Sequence, residues 1–159
     1  MKIGILTFHA SNNCGSMLQG YALQKYLLKE FEVKSDIIDF SNENQRDMYA
    51  LFRKMDSMKD IGLNLTTLMF FKRFKKHFDD YKKFSNEYLI KSNEDFVKIE
   101  ELNKLNGQYD GFICGSDQVW NTNCYDSDDA YYLPFVKEGL KIAYAPSFGA
   151  TNIVNVDKK

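Results

Sequence analysis

Two short polar stretches, each directly after an apolar run, hold most of the side chains in this sequence that could do chemistry. Residues 9–16 read HASNNCGS. Ser11, Asn12, Asn13 and Ser16 can hydrogen-bond a sugar hydroxyl, Gly15 allows a tight backbone turn beside a ligand, and His9 can move a proton. The same residue types also simply turn and cap a chain, so composition leaves both readings open. Residues 115–121 read GSDQVWN. Gly115 and Ser116 lead into a carboxylate from Asp117, amides from Gln118 and Asn121, and an aromatic plate from Trp120, the only tryptophan of the chain. That set suits a cluster of carbohydrate hydroxyls. A plainer reading puts Trp120 in the core and makes Asp117 a turn cap. Neither stretch contains GxGxxG or GxxxxGKS/T, so neither a dinucleotide site nor a P-loop is indicated.

The elements around these stretches can be read from periodicity. Residues 3–8 form a short β-branched apolar run, the pattern of a buried parallel strand. Residues 16–30 read as an amphipathic helix whose apolar face holds Leu18, Tyr21, Leu23, Tyr26, Leu27 and Leu28. Residues 33–40 supply a second strand, and the right-handed crossover rule makes the two strands parallel neighbours. Residues 92–105 read as a helix capped by Ser92. Residues 109–114 and 140–145 are two further strands. The expected fold is therefore α/β with a Rossmann-like parallel sheet over residues 1–150. In such sheets ligands gather outside the carboxyl ends of the strands, which brings the two polar stretches and Ser147 to one edge.

Residues 41–85 carry no strand pattern and read as a variable helical insertion. Within it Phe70, Phe71, Phe74, Phe78, Tyr81 and Phe84 alternate with Lys72, Arg73, Lys75, Lys76, Lys82 and Lys83. Such a stripe suits a polyanion or a membrane surface, but an amphipathic helix with its aromatics packed inward is the favoured reading. His77 falls in this helix as a surface residue. Residues 151–159 form a tail too short for the helix that should follow the last strand, so a truncated chain is expected.

Composition bounds the function classes. At 159 residues with 44% hydrophobic and 27% charged residues, the chain can bury one core. A net charge of −1 gives no overall attraction to nucleic acid or an anionic membrane. Cys14, Cys114 and Cys124 form neither an even set nor a CxxC pair, which argues against a disulfide framework or a zinc ribbon and suits a reducing cytoplasm. No apolar run approaches the roughly 20 residues of a membrane span, and no metal-ligand set stands out.

The residues HASNNCGSMLQGYALQKYL, YDGFICGSDQVWN, YYLPF and KIAYAPSFG together resemble the N-terminal portion of the polysaccharide pyruvyl transferase family. The resemblance runs from the start to about Gly149, with residues 41–104 contributing little; Cys14 and Gly20 depart from the pattern. It implies one half of a two-domain, GT-B-like architecture. It also implies phosphoenolpyruvate as co-substrate and a sugar of a cell-surface glycan, free or lipid-linked, as acceptor of a pyruvyl ketal, with no further cofactor.

That chemistry needs an acid, a base and cations for the donor's carboxylate and phosphate. Arg46, Arg53 and Arg73 all lie in the insertion, so donor binding is expected from an absent C-terminal half and acceptor binding from this one. Asp117 is then the candidate base and His9 a second candidate for proton transfer. Asn12, Asn13, Gly15, Ser16, Gly115, Ser116, Gln118, Trp120, Asn121 and Ser147 would position the acceptor. A nucleotide-sugar glycosyltransferase of the same architecture and an inactive truncated fragment are the competing readings.

Overall fold

The structure, a computed structural model, describes residues 1–149. The expected tail, 151–159, lies outside the described residues. Five strands form one all-parallel sheet in the order β3-β2-β1-β4-β5. They are β1 (Lys2–Leu6), β2 (Lys34–Phe40), β3 (Lys91–Phe96), β4 (Gly111–Asp117) and β5 (Leu140–Pro146). Helix α1 (Cys14–Phe31) joins β1 to β2, as the crossover rule required. The Rossmann-like α/β expectation holds.

β1 is buried along four of its five residues, as a central parallel strand must be. Its alternation splits the core. Ile3 and Ile5 join Ile37, Ile113 and Leu23 in one cluster, against which Phe84 packs, while Leu6 and Phe8 join Phe40, Phe112 and Tyr131 in the other. Tyr131 is 1% exposed and sits edge-on to Phe8 and Phe40, with centroids 5.1 and 5.9 Å away. Its hydroxyl has no hydrogen-bond partner among the described residues. An unpaired buried hydroxyl costs free energy that a ring of the same shape avoids. Tyr131→Phe should therefore stabilise the fold by about 1 kcal/mol, read as a higher urea midpoint at unchanged slope.

Three elements differ from the sequence reading. Residues 92–105 are not one helix: Lys91–Phe96 is the edge strand β3, and a 3-10 helix follows at Ile99–Leu105. Ser92 caps nothing; its hydroxyl accepts from the backbone N–H of Asp39 at 2.9 Å. α1 starts at Cys14, and the face it buries is Ser16, Met17, Gly20, Leu23 and Gln24, whereas Leu18, Tyr26 and Leu28 are exposed. Small Gly20 lets the helix lie close on the sheet: a Cβ there would meet Ile37 Cδ1 at 3.1 Å.

The insertion folds as α2 (Glu43–Met48), α3 (Met58–Met69) and α4 (Phe71–Tyr88). Its aromatic stripe is only half packed: Phe78, Tyr81 and Phe84 are partly buried, while Phe70, Phe71 and Phe74 are exposed. His77 is exposed. No helix among the described residues is long and apolar enough to cross a membrane.

Candidate functional site

β1 stands at the centre of the sheet, where successive connections turn from one side to the other. Ligands of open α/β sheets bind outside the carboxyl ends of the strands at such a point. The loop after β1 and the end of β4 meet there. Asn13 caps α1, its side chain accepting from the Gly15 N–H at 2.8 Å. Gly15 is thus in the first helical turn, and its φ is not positive, so it supplies no tight turn as the sequence suggested. Ser16, one residue on, is buried, and its hydroxyl donates to Asp117 Oδ2 at 2.9 Å. This bond joins the two stretches across 101 positions of sequence.

Asp117 is held on both oxygens, for Oδ1 accepts from the Gln118 N–H at 2.7 Å. Its φ is +90°, a region a side chain adopts at a cost of about 1–3 kcal/mol and one that concentrates at functional sites. Beside it, the Gln19 amide donates to Thr7 Oγ1 and to the Ser116 carbonyl, and the Ser116 hydroxyl bonds Gln19 Oε1. Gly115, at φ +109°, accepts no substitute, since a Cβ would land on the Tyr144 carbonyl oxygen. The strand end is therefore wired to α1 through Ser16 and Gln19. Ser147 is exposed and closes the edge through its backbone, its N–H donating to the Asp117 carbonyl and its carbonyl accepting from the Trp120 N–H.

Trp120 is packed as the plainer reading has it. Its indole N–H donates to the Tyr131 carbonyl at 3.1 Å, and its ring packs partly buried on the core, yet it also stacks on exposed Tyr132 at 5.7 Å. Asn121 is buried and donates to Gln118 Oε1 at 3.0 Å, so these two amides brace each other.

His9 belongs to a different group. It is 1% exposed, with Nε2 2.9 Å from Asp39 Oδ1 and Nδ1 3.2 Å from the Thr7 carbonyl. Lys91 pairs with the other Asp39 oxygen at 2.9 Å. Burial tends to raise the Asp39 carboxyl, but the hydrogen bonds and charges of His9 and Lys91 outweigh it and hold the group well below the ordinary carboxylate range. Both ring nitrogens of His9 are thus engaged inside the protein. A cavity of about 550 Å³ opens beside this group, lined by His9, Asp39 and Lys91 with Gln45 and Arg46 of α2 and Lys82 of α4. Asp117 does not line it; Asn12, whose amide donates to the Tyr49 carbonyl, does.

Sequence reasoning missed Asp126 and Tyr49, which the fold brings near Asp117. Burial, opposed by a hydrogen bond from its own backbone and aided by the Asp117 charge, raises the Asp126 carboxyl above its ordinary range. Burial and the charges of Asp126 and Asp117 raise the Tyr49 hydroxyl likewise. No pattern flags either residue, since both sit in irregular polar segments. Arg46 was placed away from the strand ends; in fact it follows β2 directly and lines the cavity. Its guanidinium is spent on Ser41, Asp95 and the Phe96 carbonyl. Burial pushes the Cys114 thiol up to about 12, which removes it as a nucleophile. No cluster able to hold a metal ion is present among the described residues.

An all-parallel sheet with polar side chains from two strand ends tied together at its switch point defines a Rossmann-like α/β domain. A family model for polysaccharide pyruvyl transferase matches residues 13–158. The chain belongs to that family. No curated protein and no solved structure matches it.

Proposed function

We propose that this chain forms the acceptor-holding half of a cytoplasmic transferase that moves the pyruvyl unit of phosphoenolpyruvate onto a sugar of a cell-surface polysaccharide or its lipid-linked precursor. The observation that carries the reading is the Ser16–Asp117 hydrogen bond, which fixes a carboxylate at the switch point of a family member's sheet. The reaction protonates the methylene carbon of phosphoenolpyruvate, and one sugar hydroxyl adds to the cationic carbon. Phosphate then leaves with the C–O bond pair, and a second hydroxyl closes the ketal. The two hydroxyl protons balance the one taken up by carbon and the one carried off with phosphate.

Asp117 is the base for the attacking hydroxyl. Asp126, whose carboxyl is raised above its ordinary range by burial and by the Asp117 charge, is the candidate acid for the donor. Asn12, Asn13, Gln118 and Trp120 position the acceptor. His9, enclosed with Asp39, steadies the loop after β1. The donor's phosphate and carboxylate call for guanidinium forks, and Arg46 is already anchored, so these come from a second half of a GT-B-like architecture.

The test is product analysis in a complete family member that carries this loop pair. Release of inorganic phosphate from phosphoenolpyruvate, with a ketal on the glycan, is expected. Release of a nucleoside diphosphate from a nucleotide sugar would replace the reading with glycosyl transfer, and no release from either donor would leave an inactive protein.

A further inference from the structure

We propose that the cavity between the carboxyl end of β2, α2 and α4 binds a small acidic sugar, a hydroxylated ring carrying a carboxylate or a phosphate. Gln45 is the first ground. It is 1% exposed and lines the cavity, and neither its amide nitrogen nor its amide oxygen has a hydrogen-bond partner among the described residues. Nearly all buried polar groups are paired, and leaving one unpaired costs about 1–3 kcal/mol. The backbone fixes this residue in place, since Asn42 caps α2 by accepting from the Gln45 N–H at 2.9 Å. The two polar atoms lie just under the cavity surface with almost no accessible area, so a ligand engages them once the side chain turns outward; a donor and an acceptor side by side on one amide then match two adjacent ring hydroxyls.

Charge is the second ground. Arg46, Lys82 and Lys91 face the cavity against a single carboxylate, Asp39. Lys91 is paired with that carboxylate and Arg46 with Asp95, which leaves Lys82. It makes no salt bridge among the described residues, and its ammonium lies 4.7 Å from the Phe78 centroid. Phe78, Tyr81 and Tyr49 complete the wall with aromatic surface, on which the apolar face of a sugar ring can rest. The volume of about 550 Å³ falls within the roughly 300–1,000 Å³ of small-molecule sites. An anion without hydroxyls would leave Gln45 unpaired, and a neutral sugar would leave Lys82 unused.

Binding here stands whether or not the chain transfers pyruvate, because Asp117 is not in the wall and no donor is needed. Calorimetric titration of the 159-residue chain with glucuronate, glucose 6-phosphate, glucose, inorganic phosphate and phosphoenolpyruvate tests it. At least one of the two sugar acids should bind about tenfold or more tighter than glucose and than either hydroxyl-free anion, the stronger of the two naming the acidic group. Gln45→Met should weaken that binding about tenfold while leaving the melting temperature unchanged or higher, since it removes only unpaired polar atoms. Lys82→Gln, at an exposed position, should weaken it similarly and abolish its salt dependence. Equal binding of glucose, equal binding of phosphate or phosphoenolpyruvate, or affinity retained in Lys82→Gln would overturn the proposal, and Lys82→Gln decides alone if Gln45→Met does not fold.

Discussion

Asp117→Asn should lower phosphate release from phosphoenolpyruvate by at least about a hundredfold, measured in a complete family member that carries this loop. The substitution isolates basicity from shape. The new amide keeps an oxygen for the Gln118 N–H, and its nitrogen can donate to the Ser16 hydroxyl, which turns round to accept, so both restraints on the side chain persist. What disappears is the capacity to take a proton from the attacking hydroxyl. The fall should therefore sit in kcat with KM little changed. A variant that turns over normally would remove Asp117 from proton transfer and reduce it to a clamp on α1. Asp126→Asn separates the partner role: if that carboxyl serves the donor, the variant should also lose turnover while the Ser16–Asp117 bond stays in place.

The legible part of this site is the part written in consecutive residues. GSDQVWN announces a polar strand end because glycine, an acid and amides follow an apolar run, although the strand runs three residues further than the apolar run indicates, so Gly115 and Asp117 still pair with β5 and the turn begins only after them. The wiring behind it was not legible. Ser16 and Gln19 look like ordinary helix residues, and the sequence reading assigned the buried face of α1 to its apolar side chains. The helix instead turns small and polar residues inward, because close packing at Gly20 and hydrogen bonds to the strand ends outweigh the burial of Leu18 or Leu28. Gln24 shows the same logic: its buried amide donates to the Ser35 and Ile90 carbonyls and accepts from the Ile90 N–H, pinning the entry to β3.

β3 escaped for a related reason. KSNEDF has no alternation because only Phe96 is buried in it, and an edge strand can be held by its ladder bonds while its side chains face water. A serine before two acids then imitates a helix cap. Missing β3 also hid the second group of side chains, since Lys91 reaches Asp39 only once β3 lies against β2. The Arg46 position went the same way: as part of an insertion it looked remote, yet its guanidinium ties α2 to the far end of β3.

That second group makes a stability prediction whose pH dependence has a fixed sign. Asp39→Asn should cost about 2 kcal/mol at pH 7, between the roughly 3–5 kcal/mol of a broken buried pair and the 0–1 of an exposed one, because the Asp39 and Lys91 side chains are 23% and 26% exposed whereas His9 is 1% exposed. The melting temperature should drop by about 4–8 °C for a chain of this size. The Asp39 carboxyl is depressed in the folded state, so its contribution is fully present above the unfolded value near 4 and is lost as pH falls through the lower folded value. Parent and variant should therefore differ by a constant amount from pH 7 to about 5, and their denaturation curves should converge below about pH 4. A gap that stayed constant into acid would mean that the substitution costs packing rather than charge. A gap that widened there would reverse the sign and place the titrating group elsewhere. The cavity supplies an independent control, since Lys82→Gln touches the same wall without touching Asp39 and should leave the melting temperature at both pH values where it was.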